Sequence, residues 1–282
     1  MVFWMLKQLT GIAGALKLIH HFQPTMPLDF KGNTNQRNVL LSVKNNEKFF
    51  GRHGDIKPEN FLYFNRSPDT DDPKGVVQIS DFGLGRFHGR DSRSAISPTT
   101  AQATPTYEPP ECQLRQAVSR KYDIWSLGCV YLEFLTWILK GSVEVNNFSE
   151  FRGQKNSLGI DEDKYFEIFP TEDGSNRARV KTSVIDWVET LRASKHCSML
   201  IHSLLRIIMH DMLVVDQDKR IASDQLYKKL NELVEECQDA KFMLEPADSD
   251  ISVPPRIQSP RRGSATWPPV GPHLVVTPAD NH

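Results

Sequence analysis

The chain has 282 residues, 39% of them hydrophobic, and a formal net charge of -1. This length and apolar content allow one substantial core, with or without unstructured extensions. A charge so close to zero gives no electrostatic reason to expect nucleic acid or an anionic membrane as the main partner. Functions that depend on a basic surface are therefore not predicted.

The first twenty residues have the pattern of an amphipathic helix. Apolar side chains recur at helical spacing, at Phe3, Leu6, Leu9, Ile12, Ala13, Leu16 and Ile19. Lys7 and Lys17 interrupt the apolar run, and no A-x-A-like cleavage site follows. We therefore expect a helix with one buried face and no targeting segment. An intracellular location, cytoplasmic or nuclear, is predicted.

Four cysteines, Cys112, Cys129, Cys197 and Cys237, lie far apart in the sequence. They form no C-x-x-C pair and have no histidine at metal-ligand spacing. Neither a disulfide framework nor a zinc site is predicted, so we interpret the cysteines as reduced and structural.

Residues 22–50 mix proline, asparagine, lysine and glycine, which predicts an inserted loop with one short strand at 39–43. Two β-prone runs follow, at 61–64 and 76–79. The residues between them, RSPDTDDPKG, favour an exposed turn. These runs predict a small antiparallel hairpin.

The second half is predicted to be helical. Residues 122–139 are apolar almost all the way round, which predicts a central buried helix. Residues 141–181 indicate a second long insertion, with a short helical piece at 161–169. Three further helices are predicted at 183–192, 198–214 and 223–237. Residues 241–282 form a Pro/Ser-rich tail that is predicted to be disordered.

The most informative segment is HGDIKPEN, from His53 to Asn60. It resembles the catalytic loop of eukaryotic-type Ser/Thr protein kinases, in which His-Arg-Asp is followed by a lysine and an asparagine at this spacing. The resemblance implies that Asp55 is the catalytic base and that Lys57 stabilises the transferring phosphoryl group of ATP. It also implies that Asn60 is a ligand of Mg²⁺.

Further motifs in the order typical of this family extend the resemblance over residues 1–240. Ser80-Asp81-Phe82-Gly83 is similar to the Asp-Phe-Gly motif, which implies that Asp81 chelates Mg²⁺, Phe82 packs inward and Gly83 allows a turn. The activation segment would then run from residue 81 to residue 111. Its end, Thr104 to Glu111, is similar to the segment that closes the activation loop and docks the peptide substrate.

The remaining residues of this resemblance are structural. Glu111 is expected to form a buried ion pair with Arg220 of DQDKRIAS. Asp123 is expected to accept backbone N–H bonds from the catalytic loop, and His53 to support that loop. Each has an ordinary alternative, since Asp123 could cap a helix and Glu111 and Arg220 could be solvated charges. The order of the landmarks favours the kinase interpretation.

The sequence departs from the family pattern before Asp55. The 54 preceding residues contain no G-x-G-x-x-G loop and no strand lysine of the V-A-I-K type. We therefore expect a mainly α fold with a small β-hairpin, corresponding to the C-terminal lobe of the kinase fold without its N-terminal lobe. ATP binding by this chain alone is expected to be weak. Gly54 also replaces the usual arginine, which suggests control without loop phosphorylation.

Three functions follow from this interpretation. The first is a Ser/Thr protein kinase, incomplete at the N-terminus, that uses ATP and Mg²⁺ and has a protein substrate. The second is a catalytically inactive, pseudokinase-like interaction module. The third is a kinase of the same fold that acts on a small alcohol or amine, against which Lys57 and the Thr104–Glu111 segment argue.

Overall fold

The computed structural model describes residues 1–21, 50–65, 73–81, 86–88, 105–155 and 161–245. The predicted strand at 39–43, nearly all of the predicted loop at 22–50, and residues 246–282 of the predicted tail lie outside the described residues. The prediction of disorder is wrong at the start of that tail, because residues 241–244 belong to a short helix, Ala240–Leu244.

The described residues are mostly helical. The helices are α1 (Val2–His20), α2 (Pro110–Gln113), α3 (Tyr122–Lys140), α4 (Ser142–Arg152), α5 (Thr182–Arg192), α6 (Met199–Ile207), α7 (Ser223–Glu236) and α8 (Ala240–Leu244). A π-helical turn, Ile208–Met212, continues α6. Single 3₁₀ turns lie at Pro58–Asn60 and Pro105–Tyr107. The predicted helices at 1–20, 122–139, 183–192, 198–214 and 223–237 are confirmed.

The strands pair into four two-stranded antiparallel sheets within the described ranges. The strands are β1 (Phe50–Arg52), β2 (Phe61–Phe64), β3 (Val76–Ile79), β4 (Arg86–His88), β5 (Gln154–Lys155), β6 (Asp161–Glu162), β7 (Phe166–Pro170) and β8 (Asn176–Val180). Each pairs with one other, as β1–β4, β2–β3, β5–β6 and β7–β8. The predicted hairpin at 61–64 and 76–79 is confirmed as β2–β3.

The helical piece predicted at 161–169 is wrong, because β6 and most of β7 occupy these residues. The reason is the turn that joins β7 to β8. Gly174 has a φ of +78°, which glycine adopts without strain. The Asp173 carboxylate accepts bonds from the Ser175 backbone and the Thr171 hydroxyl. This turn lets β7 form its backbone hydrogen bonds with β8.

The core is organised around α3. Every residue from Tyr122 to Glu133 is buried, so this helix is covered on all sides, as its composition predicts. Helices α1 and α7 pack against each other, and α4 and the π-helical turn pack on α3. Gly128 permits one of these approaches, because a Cβ there would lie 3.0 Å from the Cβ of Met212.

Helix α1 is long and apolar enough to cross a membrane, judged by length and composition alone. Its apolar residues have another use in this fold. Leu6, Ala13 and Leu16 are fully buried in the common core, with Met5, Leu9 and Ile12 almost fully buried beside them. Packing in the core therefore accounts for the hydropathy of α1.

Candidate active site

The loop from His53 to Asn60 connects β1 to β2, and the side chain of Asp123 binds its backbone. One carboxylate oxygen of Asp123 accepts the His53 N–H at 2.8 Å, and the other accepts the Gly54 N–H at 2.9 Å. Gly54 has a φ of +82°, a conformation that side-chain-bearing residues rarely adopt. A glycine at this position therefore lets the loop take its shape without backbone strain.

A buried histidine completes the support of this loop. The Nε2 atom of His20, at the end of α1, lies 2.9 Å from the Asp123 carboxylate, and both side chains are fully buried. Burial alone would raise the pKa of Asp123, but the His20 ring and the two loop N–H groups outweigh it and lower the pKa below its ordinary value. The carboxylate therefore remains charged in the folded chain.

Sequence reasoning missed His20. Its signal was its position, four residues after Leu16 on the buried face of α1. A polar residue on that face needs a partner, and here the partner lies 103 positions further along the chain.

The side chains of Asp55, Lys57 and Asn60 meet within the loop. The Lys57 ammonium lies 2.8 Å from the Asp55 carboxylate. The Asn60 amide nitrogen donates to the Asp55 carbonyl oxygen at 2.7 Å and to its carboxylate at 3.2 Å. Asp55 is largely buried, whereas the Lys57 side chain is about one quarter exposed at 24%. A positive charge and a carboxylate therefore share the rim of the loop.

His53 joins the loop to the segment that contains Asp81. Its Nδ1 atom accepts the Asp55 backbone N–H at 3.3 Å, and its Nε2 atom lies 3.0 Å from the Ser80 carbonyl oxygen. A carbonyl oxygen can only accept, so these contacts fit an imidazole with its proton on Nε2. The Ser80 backbone N–H also donates to the Asn60 carbonyl oxygen at 2.8 Å.

These contacts bring Asp81 to the same end of the β2–β3 hairpin as Asn60. Asp81 is exposed and has a φ of +60°, which is uncommon for a residue with a side chain. Such a conformation is often found at functional sites. The neighbouring predicted residues Phe82 and Gly83 lie outside the described residues, as does Thr104.

The donor set at this end of the hairpin fits magnesium. Because the Asn60 amide nitrogen bonds Asp55, its oxygen is the atom left to serve as a ligand. An amide oxygen and the Asp81 carboxylate are the hard donors that Mg²⁺ prefers. Among the described residues, no group of three or more His, Cys, Asp and Glu side chains could hold a metal. Mg²⁺ usually takes further ligands from water and phosphate.

Glu111 and Arg220 form a buried, bidentate ion pair at the end of the predicted activation segment. Two guanidinium nitrogens donate to the two carboxylate oxygens at 2.8 and 2.9 Å. Arg220 also donates to the carbonyl oxygens of Val214 and Lys121, and its guanidinium lies 5.2 Å from the Trp125 ring centroid. The pair expected from the sequence is present, and it fixes the start of α2 against the core.

Comparison with known proteins identifies the family. The family model described as the protein kinase domain matches residues 37–230, more than half of the chain. Cyclin-dependent kinase E-1 of Arabidopsis thaliana is 27% identical over 61% of this chain and 37% of its own length. Cyclin-dependent kinase 11 of Dictyostelium discoideum is 29% identical over 59% of this chain and 43% of its own length.

A shorter match is closer in sequence. The ovarian-specific serine/threonine-protein kinase Lok of Drosophila melanogaster is 38% identical over 33% of this chain and 18% of its own length. In each of these three matches the chain spans less than half of the relative. The family model and these similarities agree with the loop geometry, and the chain belongs to the protein kinase family, of the eukaryotic Ser/Thr type.

Proposed function

We propose that this chain carries the catalytic and metal-binding part of a Ser/Thr protein kinase, which transfers phosphate from ATP to protein hydroxyl groups with Mg²⁺. The observation that supports this best is the contact of both Lys57 and Asn60 with Asp55 in the catalytic loop. The nitrogens of their side chains lie 2.7 to 3.2 Å from Asp55 oxygens. The family membership gives the reaction class.

Asp55 is the proposed base. As the substrate hydroxyl oxygen bonds to the γ-phosphorus and the bond from that phosphorus to the leaving diphosphate oxygen breaks, the hydroxyl proton passes to the Asp55 carboxylate. The bond from Asn60 to this carboxylate orients it. Lys57, which contacts the same carboxylate, contributes positive charge beside the phosphoryl group, where charge stabilisation is effective.

Asn60 and Asp81 are the proposed ligands of Mg²⁺. The ion would neutralise charge on the phosphates and hold them for in-line transfer. The hydrogen bond from the Ser80 N–H to the Asn60 carbonyl oxygen holds the backbone of Asn60 next to the residue that precedes Asp81, so the two proposed ligands are kept close together. The roles proposed for Phe82, Gly83 and Thr104 are the structural ones implied by the family motifs.

We also propose that transfer needs elements that cover the nucleotide. This sequence does not contain them, since residues 1–54 carry no glycine-rich phosphate loop. The described part would then be the C-terminal lobe. We propose an intracellular, reducing location, since all four cysteines are free and buried. No nucleic acid or membrane partner is proposed.

Replacement of Asp55 by asparagine tests the proposal, with Asp218→Asn at an exposed position as the matched control. We expect Asp55→Asn to reduce phosphate transfer from Mg-ATP to casein by about 100-fold or more, without a change in the urea midpoint. The control should match wild type. Transfer is measured with the chain alone and with a kinase N-terminal lobe supplied in trans.

Equal transfer by Asp55→Asn and wild type would refute the role of Asp55. Absence of transfer and of Mg-dependent ATP binding by wild type under both conditions would favour the interaction-module alternative. Transfer to a small alcohol but not to casein would favour the small-molecule alternative.

A further inference from the structure

A buried polar network lies beneath the Pro105–Tyr107 turn, apart from the catalytic loop. Its cation is Arg152, the last residue of α4, whose side chain is only 1% exposed. The guanidinium lies 4.1 Å from the ring centroids of both Phe148 and Tyr165. The guanidinium therefore lies between two aromatic rings. A buried charge costs free energy unless it is paired, so Arg152 needs specific partners in this position.

The partners of Arg152 are two acidic residues. Its Nη2 atom donates to the Glu133 carboxylate of α3 at 3.2 Å and lies 3.6 Å from the Asp163 carboxylate. Its Nε atom donates to the Asp163 carbonyl oxygen at 3.0 Å. Arg152 therefore joins the central helix to the residues that lead into β7.

The same two carboxylates hold the Pro105–Tyr107 turn. The Thr106 hydroxyl donates to the Asp163 carboxylate at 2.5 Å, and the Tyr107 hydroxyl donates to the Glu133 carboxylate at 3.1 Å. A third bond runs from the Ser126 hydroxyl of α3 to the Tyr107 carbonyl oxygen at 2.8 Å. The hydroxyl groups of Thr106 and Tyr107 therefore both donate to carboxylates that Arg152 contacts.

The charges explain why the arginine is needed. Burial raises the pKa of Glu133, and Arg152 opposes this rise. Without Arg152, the buried Glu133 would have only the Tyr107 and Tyr165 hydroxyls as the donors described here. A neutral replacement would favour protonation of Glu133 and would weaken the attraction that draws α4 and Asp163 towards the turn.

We infer that Arg152 and Asp163 are positioning residues that fix the Pro105–Tyr107 turn in the shape in which it receives the substrate polypeptide. The inference rests on the proposed function, because only that function places a polypeptide beside this turn. The turn is held by a cation from within the chain, so its order needs no added phosphate. Arg152 and Asp163, which lie between α3 and β7, thus contribute to substrate docking.

Three variants and one control test the inference. Arg152→Met removes the charge and keeps the length of the side chain, Asp163→Asn removes the second acid, and Thr106→Val removes only a hydroxyl. Arg179→Met is the control, because this exposed arginine pairs with Glu167 on the β7–β8 hairpin and is not one of the network residues described above. The first measurement is amide hydrogen exchange at residues 106–108, with the amides of α7 as the internal reference.

We expect exchange at residues 106–108 to become at least about tenfold faster in the three variants and to stay unchanged in Arg179→Met, with α7 equally protected in all. For transfer to casein, we expect KM for casein to rise at least about fivefold, with kcat and KM for ATP within about twofold of wild type. A purely structural defect would instead lower kcat and the protection of α7 together.

Unchanged exchange at residues 106–108 in folded Thr106→Val and Asp163→Asn would overturn the inference. If Arg152→Met does not fold, these two milder variants decide the matter. Faster exchange with an unchanged KM for casein would overturn the docking role. If wild type transfers no phosphate either alone or with a kinase N-terminal lobe supplied in trans, the proposed function fails on its own account, whereas the exchange data still decide whether the network holds the turn.

Discussion

Asp123 supports the catalytic loop through a single buried carboxylate that contacts His20, His53 and Gly54. Two of these contacts are backbone N–H groups, which cannot move without a change in the shape of the loop. A carboxylate with three donors in a buried site is strongly stabilised in its charged form. The position of Asp55, one residue beyond Gly54, therefore depends on the charge of Asp123.

We expect Asp123→Asn to lower the free energy of unfolding by about 3–5 kcal/mol at pH 7, because it leaves His20 and the loop N–H groups without a charged partner. The pKa of Asp123 lies below its ordinary value of 3.8 in the folded chain. Its stabilising contribution is therefore complete above that value and is lost as the pH falls towards the folded pKa.

Urea unfolding of wild type and Asp123→Asn at pH 7, 5, 4 and 3.5 checks this expectation. The difference in free energy between them should shrink below about pH 4. Asp218→Asn, at an exposed position, should show no such trend. A difference that is the same at pH 7 and pH 3.5 would contradict the charged-carboxylate explanation.

The sequence predicted the local part of this site better than its remote part. Asp55, Lys57 and Asn60 fall within six consecutive residues, so a loop of this length brings them together almost unavoidably. His20 and Arg152 contact the acids of α3 from elements whose packing no local pattern encodes. Their only signal is burial of a polar side chain, which becomes visible once the helices are packed.

At the scale of elements, two glycines of α1 offer a matched test of its packing. A Cβ on Gly11 would meet nothing within 4 Å, whereas a Cβ on Gly14 would lie 3.0 Å from the ring of Tyr227 on α7. Alanine favours a helix over glycine by about 1 kcal/mol. Gly11 can gain this preference, but Gly14 is opposed by the close contact between α1 and α7.

We expect Gly11→Ala to raise the free energy of unfolding by about 0.5–1 kcal/mol, and Gly14→Ala to lower it, because overpacking of a close interface costs about 1–3 kcal/mol. Urea unfolding at neutral pH measures both. The two substitutions are chemically identical and three residues apart, so each serves as the control of the other. Equal stabilisation by both would show that α1 and α7 are less closely packed than described.

The β7–β8 hairpin shows why one element was assigned incorrectly from the sequence. Residues 161–169 alternate poorly between polar and apolar, so neither the helical nor the strand period is clear. The decisive signal is Asp173-Gly174, a dipeptide typical of hairpin turns, which lies outside residues 161–169 but inside the connection predicted at 141–181. A strand that depends on its partner is predictable only when the turn that pairs the two is recognised.

At the scale of the whole molecule, α3 collects polar contacts from distant parts of the chain. Its Asp123 bonds α1 and the catalytic loop, its Glu133 bonds Arg152 of α4, and its Thr136 accepts the Trp187 indole N–H of α5 at 3.1 Å. The sequence predicted that α3 is buried, but a helix that is apolar on all faces does not reveal which element covers which face. Because these elements share one helix, we expect them to unfold together.

The cysteines can report on this cooperativity. All four are free and buried, with exposures of 0 to 6%. Burial raises the pKa of Cys197 and Cys237 to about 11, and it also raises the pKa of Cys112 and Cys129 above the ordinary value of a thiol. The thiolate is the reactive form, so each thiol is protected both by its raised pKa and by exclusion of the reagent.

We expect the native chain at pH 8 to react with Ellman's reagent at least about 100-fold more slowly than the chain in 8 M urea, where four thiols should be titrated. Cys237 should react first, because it directly follows the last residue of α7, where fraying exposes it. Cys129, in the middle of α3, should react only at the rate of global unfolding. Mass spectrometry after partial labelling distinguishes the two, and labelling of Cys129 faster than global unfolding would contradict a cooperative core built on α3.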